Sequence, residues 1–231
     1  MDPLNLKKLN AARRARKAVT HVIDLGDGRD RIVEEGLAVA GELGEALAKA
    51  FRSGKSGTVE ADGERYFINV HLPPPRLVVI GAVHISQALA PIAATAGYAM
   101  EVIDPRTGFA TPERFAGTPL AADWPQDALQ KAPLDAYCAL AALTHDPKID
   151  DFPLQAALEA NCFYVGALGS RKTHAKRVDR LKEAGLSEAQ IGRIHAPIGL
   201  DIGAASPAEI AVAVMAQVIE AFHSRGLGGQ S

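Results

Sequence analysis

From Arg76 onward the sequence alternates short apolar runs with amphipathic stretches, and the changes between them fall on polar loops. Arg76–Ile80 (RLVVI), Ala99–Ile103, residues 135–140 and residues 163–168 read as buried strands, each too short and too apolar for anything but a sheet interior. Between them lie helical stripes. Ile85, Leu89, Ile92 and Ala96 share one face of a helix that Pro91 is expected to kink, and a further helix is expected across residues 153–159. Ser187-Glu188-Ala189-Gln190 and Ser206-Pro207-Ala208-Glu209 both have the form of capping boxes; the second opens a last helix with Ile210, Val214, Val218 and Phe222 turned inward. Strand and helix in alternation imply an α/β fold, a doubly wound, Rossmann-like parallel sheet with helices on both faces. In such a sheet, ligands bind beyond the carboxyl ends of the strands, so the loops there are where function belongs.

The pattern before Arg76 is different. Residues 18–25 (AVTHVIDL) and 58–70 (TVEADGERYFINV) read as strands, the second stretch as a hairpin about Asp62-Gly63, with a helix expected near residues 36–52. Pro73-Pro74-Pro75 forms a stiff connector. The expected organisation is therefore a small α+β domain over 1–72, a proline linker at 73–75, the Rossmann-like domain over 76–225 and a loose tail at 226–231. A first helix carries Leu6 and Leu9 on its apolar side, with Lys7, Lys8, Arg13, Arg14, Arg16 and Lys17 as its wet face.

Composition removes several classes of function. A formal net charge of -2 and only 5% aromatic residues provide neither the field nor the stacking surface for nucleic acid. No apolar run approaches the roughly 18 residues needed to span a membrane, and none before Ala18 reads as a secretory signal. Cys138 and Cys162, the only cysteines, sit in apolar runs without metal-ligand spacing, which fits a reducing cytoplasm; Cys162, nearer a loop, is the better thiol candidate.

Three polar loops carry the candidate site. Gly81-Ala82-Val83-His84-Ile85-Ser86 stands where a dinucleotide-binding glycine loop stands, after the first strand of the sheet and at a helix start. Only the first glycine is present: Val83 puts a branched side chain where a backbone would approach a pyrophosphate, and Ser86 replaces the glycine that lets helix and strand pack closely. Asp104 ends the second strand, where an acid either grips ribose hydroxyls or serves as a turn residue before Pro105. Gly169-Ser170-Arg171-Lys172 brings N–H groups, a hydroxyl and two cations to one helix start, a ready anion site. Arg171, Lys172, Lys176, Arg177 and Arg180 read as a solvated basic face of that helix, with His174 packed on the other side. His84, His145 with Asp146, and His195 with Asp201 complete the polar set, able to brace loops, exchange protons or touch a metal. No complete catalytic constellation appears among them.

In this order the segments PPPRLVVIGAVHISQALAPIA, EVIDPR, LTHD, YVGALGSRKTHAKRVDRL and IHAPIGLDIGAASPAEIAVAV resemble the XdhC/CoxF family (also XdhC/CoxI-type), accessory proteins of molybdenum hydroxylases, from Pro74 to Phe222. The joint occurrence of THD, YVGxxGSR and HxPIGLDIG is specific. The resemblance implies a protein that binds the molybdenum cofactor, molybdopterin or its cytosine dinucleotide, and delivers it to an apo-molybdenum hydroxylase of the xanthine dehydrogenase, aldehyde oxidoreductase or CO dehydrogenase type. It also implies, as a second partner, a cysteine desulfurase, and assembly as a homo-oligomer. Gly81, Val83, His84, Asp104, His145, Asp146, Gly169, Ser170, Arg171, Lys172, His195 and Asp201 are the residues expected to hold the cofactor. The GSSPR-like and SGGC-like motifs of longer relatives are not in this sequence, so the sulfur or copper handling attributed to them does not carry over. The rival readings are an NAD(P)-dependent oxidoreductase, which the lone glycine disfavours, and a non-catalytic scaffold that docks the molybdoenzyme.

Overall fold

The computed structural model describes residues 1–225, and the expected tail at 226–231 lies outside them. By contacts the chain divides into two units, one of residues 1–73 with the segment from His223, the other Pro74–Phe222.

In the first unit α1 (Pro3–Arg14) is capped by Asp2, whose carboxylate accepts the Leu4 N–H. Leu9 and Ala12 form its buried side, but Leu6 is exposed rather than part of that side. β1 (Val19–Asp24), β2 (Asp30–Glu34), α2 (Gly41–Ser53), β3 (Gly57–Ala61) and β4 (Glu64–His71) follow. The four strands make an antiparallel sheet in the order β2-β1-β4-β3, and the hairpin at Asp62-Gly63 is present. α2 begins five residues later than expected, at Gly41, and buries Leu43, Leu47, Ala50 and Phe51. β2 was not legible: its sequence DRIVE is mostly charged, and it is held by pairing with β1 rather than by its own pattern.

The second unit is a Rossmann domain. β5 (Arg76–Ile80), α3 (His84–Thr95), β6 (Ala99–Ile103), β7 (Leu120–Ala121), α4 (Pro125–Lys131), β8 (Cys138–Ala142), α5 (Pro147–Glu159), β9 (Tyr164–Ala167), α6 (Arg171–Glu183), α7 (Glu188–Ile191), β10 (Ile194–His195) and α8 (Pro207–Ser224) run in chain order. The six strands are parallel, in the order β7-β6-β5-β8-β9-β10, so the chain starts in the middle and winds outward in both directions. Alternation along β5 fills both faces: Leu77 and Val79 join a core with Leu89 of α3 and Val214 of α8, while Val78 and Ile80 join Leu154 and Leu158 of α5 and Leu181 of α6. α5 starts at Pro147, well before the expected residue 153, because Pro147 stands at the first helical position where it lacks no partner and Pro153 is accommodated inside. β7, α4 and the short α7 complete the crossovers. Ser206 and Glu209 form the expected reciprocal cap, the Glu209 carboxylate accepting the Ser206 N–H at 2.8 Å.

Candidate functional site

The register aligns Ile80 of β5 with Ile103 of β6 and Ala142 of β8, and Ala142 with Ala167 of β9. The loops that begin at Gly81, Asp104, Leu143 and Leu168 therefore leave the sheet from one edge, about one strand spacing apart. β5 and β8 are the pair at which the winding reverses, and there the two loops touch: a Cβ on Gly81 would lie 2.9 Å from Thr144 Cγ2. Gly81 also has φ of +117°, a conformation that side chains resist. Gly81→Ala is accordingly expected to destabilise the fold by about 1–3 kcal/mol, read as a lowered denaturant midpoint; an unchanged midpoint would show that the loop yields freely.

The first loop is closed on itself. The Ala82 N–H donates to Asp104 Oδ2 at 2.7 Å, the Val83 N–H donates to Ser86 Oγ at 3.2 Å, and the Ser86 hydroxyl donates to the Gly81 carbonyl. The N–H groups that would face a pyrophosphate in a glycine-rich loop are thus spent inside the protein, and Ser86 is fully buried. His84, the first residue of α3, remains exposed.

Asp104 differs from its expected place in the crevice. It is fully buried, and besides Ala82 its oxygens accept the Arg106 N–H and both guanidinium arms, Nε at 2.9 Å and Nη2 at 2.7 Å. Burial alone would raise its pKa, but Arg106 and the Ala82 N–H outweigh it and hold the carboxyl below its ordinary value. What reaches the edge is Arg106, stacked 4.6 Å over the Phe109 ring. Arg114 ties the same segment down, donating to the carbonyls of Ala82 and Phe109 and to Gln87. Neither arginine was singled out from sequence; the EVIDPR segment contains Arg106, and its spacing two after an acid was the available signal.

After β8, the Thr144 hydroxyl donates to Asp150 Oδ1 at 2.7 Å and accepts the Asp146 N–H at 3.0 Å. That turn puts His145 at φ of +63°, exposed, an uncommon conformation for a non-glycine residue and one that points to a built loop. Asp146 serves as the N-cap of α5, accepting the Lys148 N–H. After β9, Gly169 has φ of +135° with Thr173 and His145 against it, and Ser170 caps α6 by accepting the Thr173 N–H, so its hydroxyl is already engaged. Arg171 and Lys172 are exposed, and the N–H groups of this first turn have no intrahelical acceptor.

Arg177 is the largest departure from the solvated basic face. It is 2% exposed; Nη2 donates to the Leu168 carbonyl at 3.0 Å, while Nε and Nη1 have no partner. Asp150 is equally buried, with Oδ2 unpartnered, and burial pushes it up to about 6 against the pull of Thr144 and Arg177. Both line a cavity of about 260 Å³ between α5 and α6, together with His145, Lys172, Lys176 and Arg180. Arg180 forms an ion pair with Asp151 at its wall. His174 is half-buried and its pKa is lowered by desolvation.

His195 ends β10 at the sheet margin, its ring stacked on Tyr164 at 4.9 Å. The Tyr164 hydroxyl and the Gly199 N–H both donate to Gln217 Oε1, so the loop after His195 is braced on α8. Asp201 lies exposed in that loop. Two strands, β8 and β9, separate β10 from β5, and β9 alone separates it from β8, so His195 ends a strand outside the β5–β8 pair that carries His84 and His145. Cys162 is fully buried, and burial raises its thiol well above the ordinary range; Cys138 is pushed up to about 11 for the same reason. Neither is a reactive thiol. Among the described residues, no group of three or more His, Cys, Asp or Glu side chains is arranged to hold a metal ion, and no helix is long and apolar enough to cross a membrane.

Sheet order, shared edge and the open start of α6 define a Rossmann-type domain whose loop after β5 is sealed internally. The chain belongs to the XdhC family: residues 77–218 match its model, described as the XdhC Rossmann domain. It is 34% identical over 146 residues to the molybdenum cofactor insertion chaperone PaoD of Escherichia coli, covering 63% of this chain and 40% of PaoD. It is 32% identical over 155 residues to a Bacillus subtilis protein named as a probable xanthine dehydrogenase component, covering 67% of this chain and 45% of that protein. A solved structure described as a xanthine dehydrogenase from Bacillus halodurans superposes with a TM-score of 0.62 at 25% identity, over 98% of this chain and 66% of that one. The chain spans less than half the length of the curated relatives it matches.

Proposed function

We propose that this protein holds the molybdenum cofactor at the carboxyl edge of its parallel sheet and hands it to an apo-molybdenum hydroxylase of the xanthine dehydrogenase or CO dehydrogenase type. The observation that carries this reading is the meeting of Arg171, Lys172, an open helix start and exposed His145 beside a sealed nucleotide loop, in a chain similar to a named cofactor insertion chaperone. Anionic phosphates of the pterin, or of its cytosine dinucleotide, meet N–H donors and cations at the start of α6. His84 and His145 supply hydrogen-bond partners for the oxo-molybdenum end without the three-ligand grip that would prevent release. Arg106, rather than Asp104, is the side chain available to the nucleotide part.

Ala82 and Val83 have already spent their N–H groups, which disfavours the nicotinamide dinucleotide reading. Partner choice follows from the cargo: an apo-molybdoenzyme receives it, and a cysteine desulfurase is the partner if a sulfido ligand is installed on the way. The protein works in the cytoplasm as a homo-oligomer on this reading.

Arg171→Ala is expected to weaken cofactor binding by about 1–3 kcal/mol, the scale of a lost charge-assisted hydrogen bond. Titration followed by pterin fluorescence measures it. Unchanged affinity with the fold intact would remove the start of α6 from the site.

A further inference from the structure

The cavity between α5 and α6 holds two buried side chains whose hydrogen-bonding capacity is complementary and unmet. Arg177 leaves two N–H-bearing nitrogens, Nε and Nη1, without acceptors, and Asp150 leaves one oxygen, Oδ2, without a donor. Each such group carries its full desolvation penalty when left alone in the interior, and a bound ligand that pairs with it removes that penalty. Thr144 holds Asp150 by its other oxygen and the Leu168 carbonyl holds Arg177 by its remaining nitrogen, so neither is free to swing out into solvent. Lys172 and Lys176 are exposed on the same lining and keep it cationic, while Asp151 is already neutralised by Arg180.

A ligand that satisfies this floor must offer acceptors to Arg177 and at least one donor to Asp150, carry negative charge, and be small. About 260 Å³ is below the usual size of a pocket for a whole cofactor. A tetrahedral phosphate that keeps one proton meets all four conditions: its oxygens accept from Arg177 and the lysines, and its P–OH donates to Asp150 Oδ2. Sulfate has the same shape and charge but no O–H, so it would set an oxygen against the Asp150 carboxylate.

We propose that the α5–α6 cavity is a phosphate-selective oxyanion site, with Arg177 as the donor of charge-assisted bonds and Asp150 as the acceptor that discriminates against sulfate. The cavity shares His145 and Lys172 with the proposed cofactor site, but its floor of Arg177 and Asp150 is not used by that reading, and the inference is tested with inorganic phosphate rather than the cofactor.

The test is isothermal titration of the full chain, at neutral pH in a buffer free of both anions, with inorganic phosphate, sulfate and methyl phosphate. Phosphate is expected to bind at one site and sulfate at least about ten-fold more weakly, the discrimination that a misplaced charged hydrogen bond brings. Asp150→Asn, which offers an amide donor, should bring the two anions to within a few-fold of each other by strengthening sulfate. Lys176→Gln, at an exposed position, should weaken phosphate several-fold whatever becomes of variants in the floor. Methyl phosphate, mostly a dianion without P–OH at neutral pH, should bind more weakly than phosphate, as sulfate does; methyl phosphate and phosphate binding equally well would overturn the role given to Asp150. Equal affinity of the unaltered protein for phosphate and sulfate, no binding of either, or phosphate binding indifferent to both substitutions overturns the proposal. Loss of pterin binding with phosphate binding intact would instead strike the cofactor reading alone.

Discussion

Deleting the gene for this protein is expected to leave its client molybdenum hydroxylase folded, with flavin and iron–sulfur centres in place where the client carries them, but with most of its molybdenum cofactor and activity missing. Neither cysteine is reactive, no three metal-binding side chains converge among the described residues, and the loop after β5 has turned its N–H groups inward. What the edge does offer is charge and donors for anionic cargo, and on the proposed reading the protein's contribution is to hold and release that cargo. If the proposed function holds, a client enzyme whose other centres assemble independently should lose only its molybdenum cofactor. Metal and pterin analysis of the client purified from the deletion strain reads the result, and full cofactor occupancy with full activity there would overturn the maturation role. Restoring the strain with Arg171→Ala should recover only part of the loss if the start of α6 is the grip.

How far the sequence disclosed this protein depends on which force shaped each part. β5, β6, β8 and β9 were legible because strands buried on both faces must be apolar throughout, and RLVVI or YVGA admits no other reading in an alternating α/β text. The caps at Ser187 and Ser206 were legible because side-chain capping is local chemistry. β2 was hidden because its charged residues pair at the margin of a small sheet, where the partner strand and not the sequence pattern decides. The loops after β5, β6, β8 and β9 were legible as one edge of the sheet, but the surroundings of single side chains on them were not. Arg177 sits among four other cations, so composition argued for a wet face, yet His174, Arg177 and Leu181 follow one another at helical steps of three and four and the last of them is core. Asp104 was placed by analogy with a ribose-binding acid, whereas its surroundings have taken it into the interior. That outcome depends on Arg106 and the Ala82 N–H, contacts that only the folded chain creates.

Asp104→Ala is expected to cost about 3 kcal/mol or more of stability, because it strands the Ala82 N–H in the interior and leaves Arg106 without its partner. The same change should loosen the loop after β5 and the segment through Arg114 that packs over it, so cofactor binding falls with stability. The pH dependence has a definite sign. The Asp104 carboxyl is held below its ordinary value in the folded protein, so the stability it contributes is fully present above the unfolded-state pKa, about 3.9, and is lost as pH falls through the lower folded value. Removing Asp104 should therefore flatten the fall of stability with acid below about pH 4 while lowering the whole curve at neutral pH. Asp104→Asn separates the two effects: its amide oxygen can still accept the Ala82 N–H, but it cannot hold the Arg106 guanidinium by charge, so its loss at neutral pH should be the smaller. Denaturant unfolding of the three proteins between about pH 3 and pH 7 measures all of this. Parallel curves for the unaltered protein and the alanine variant across the acid range would mean that the buried carboxylate does not carry the charge its contacts require.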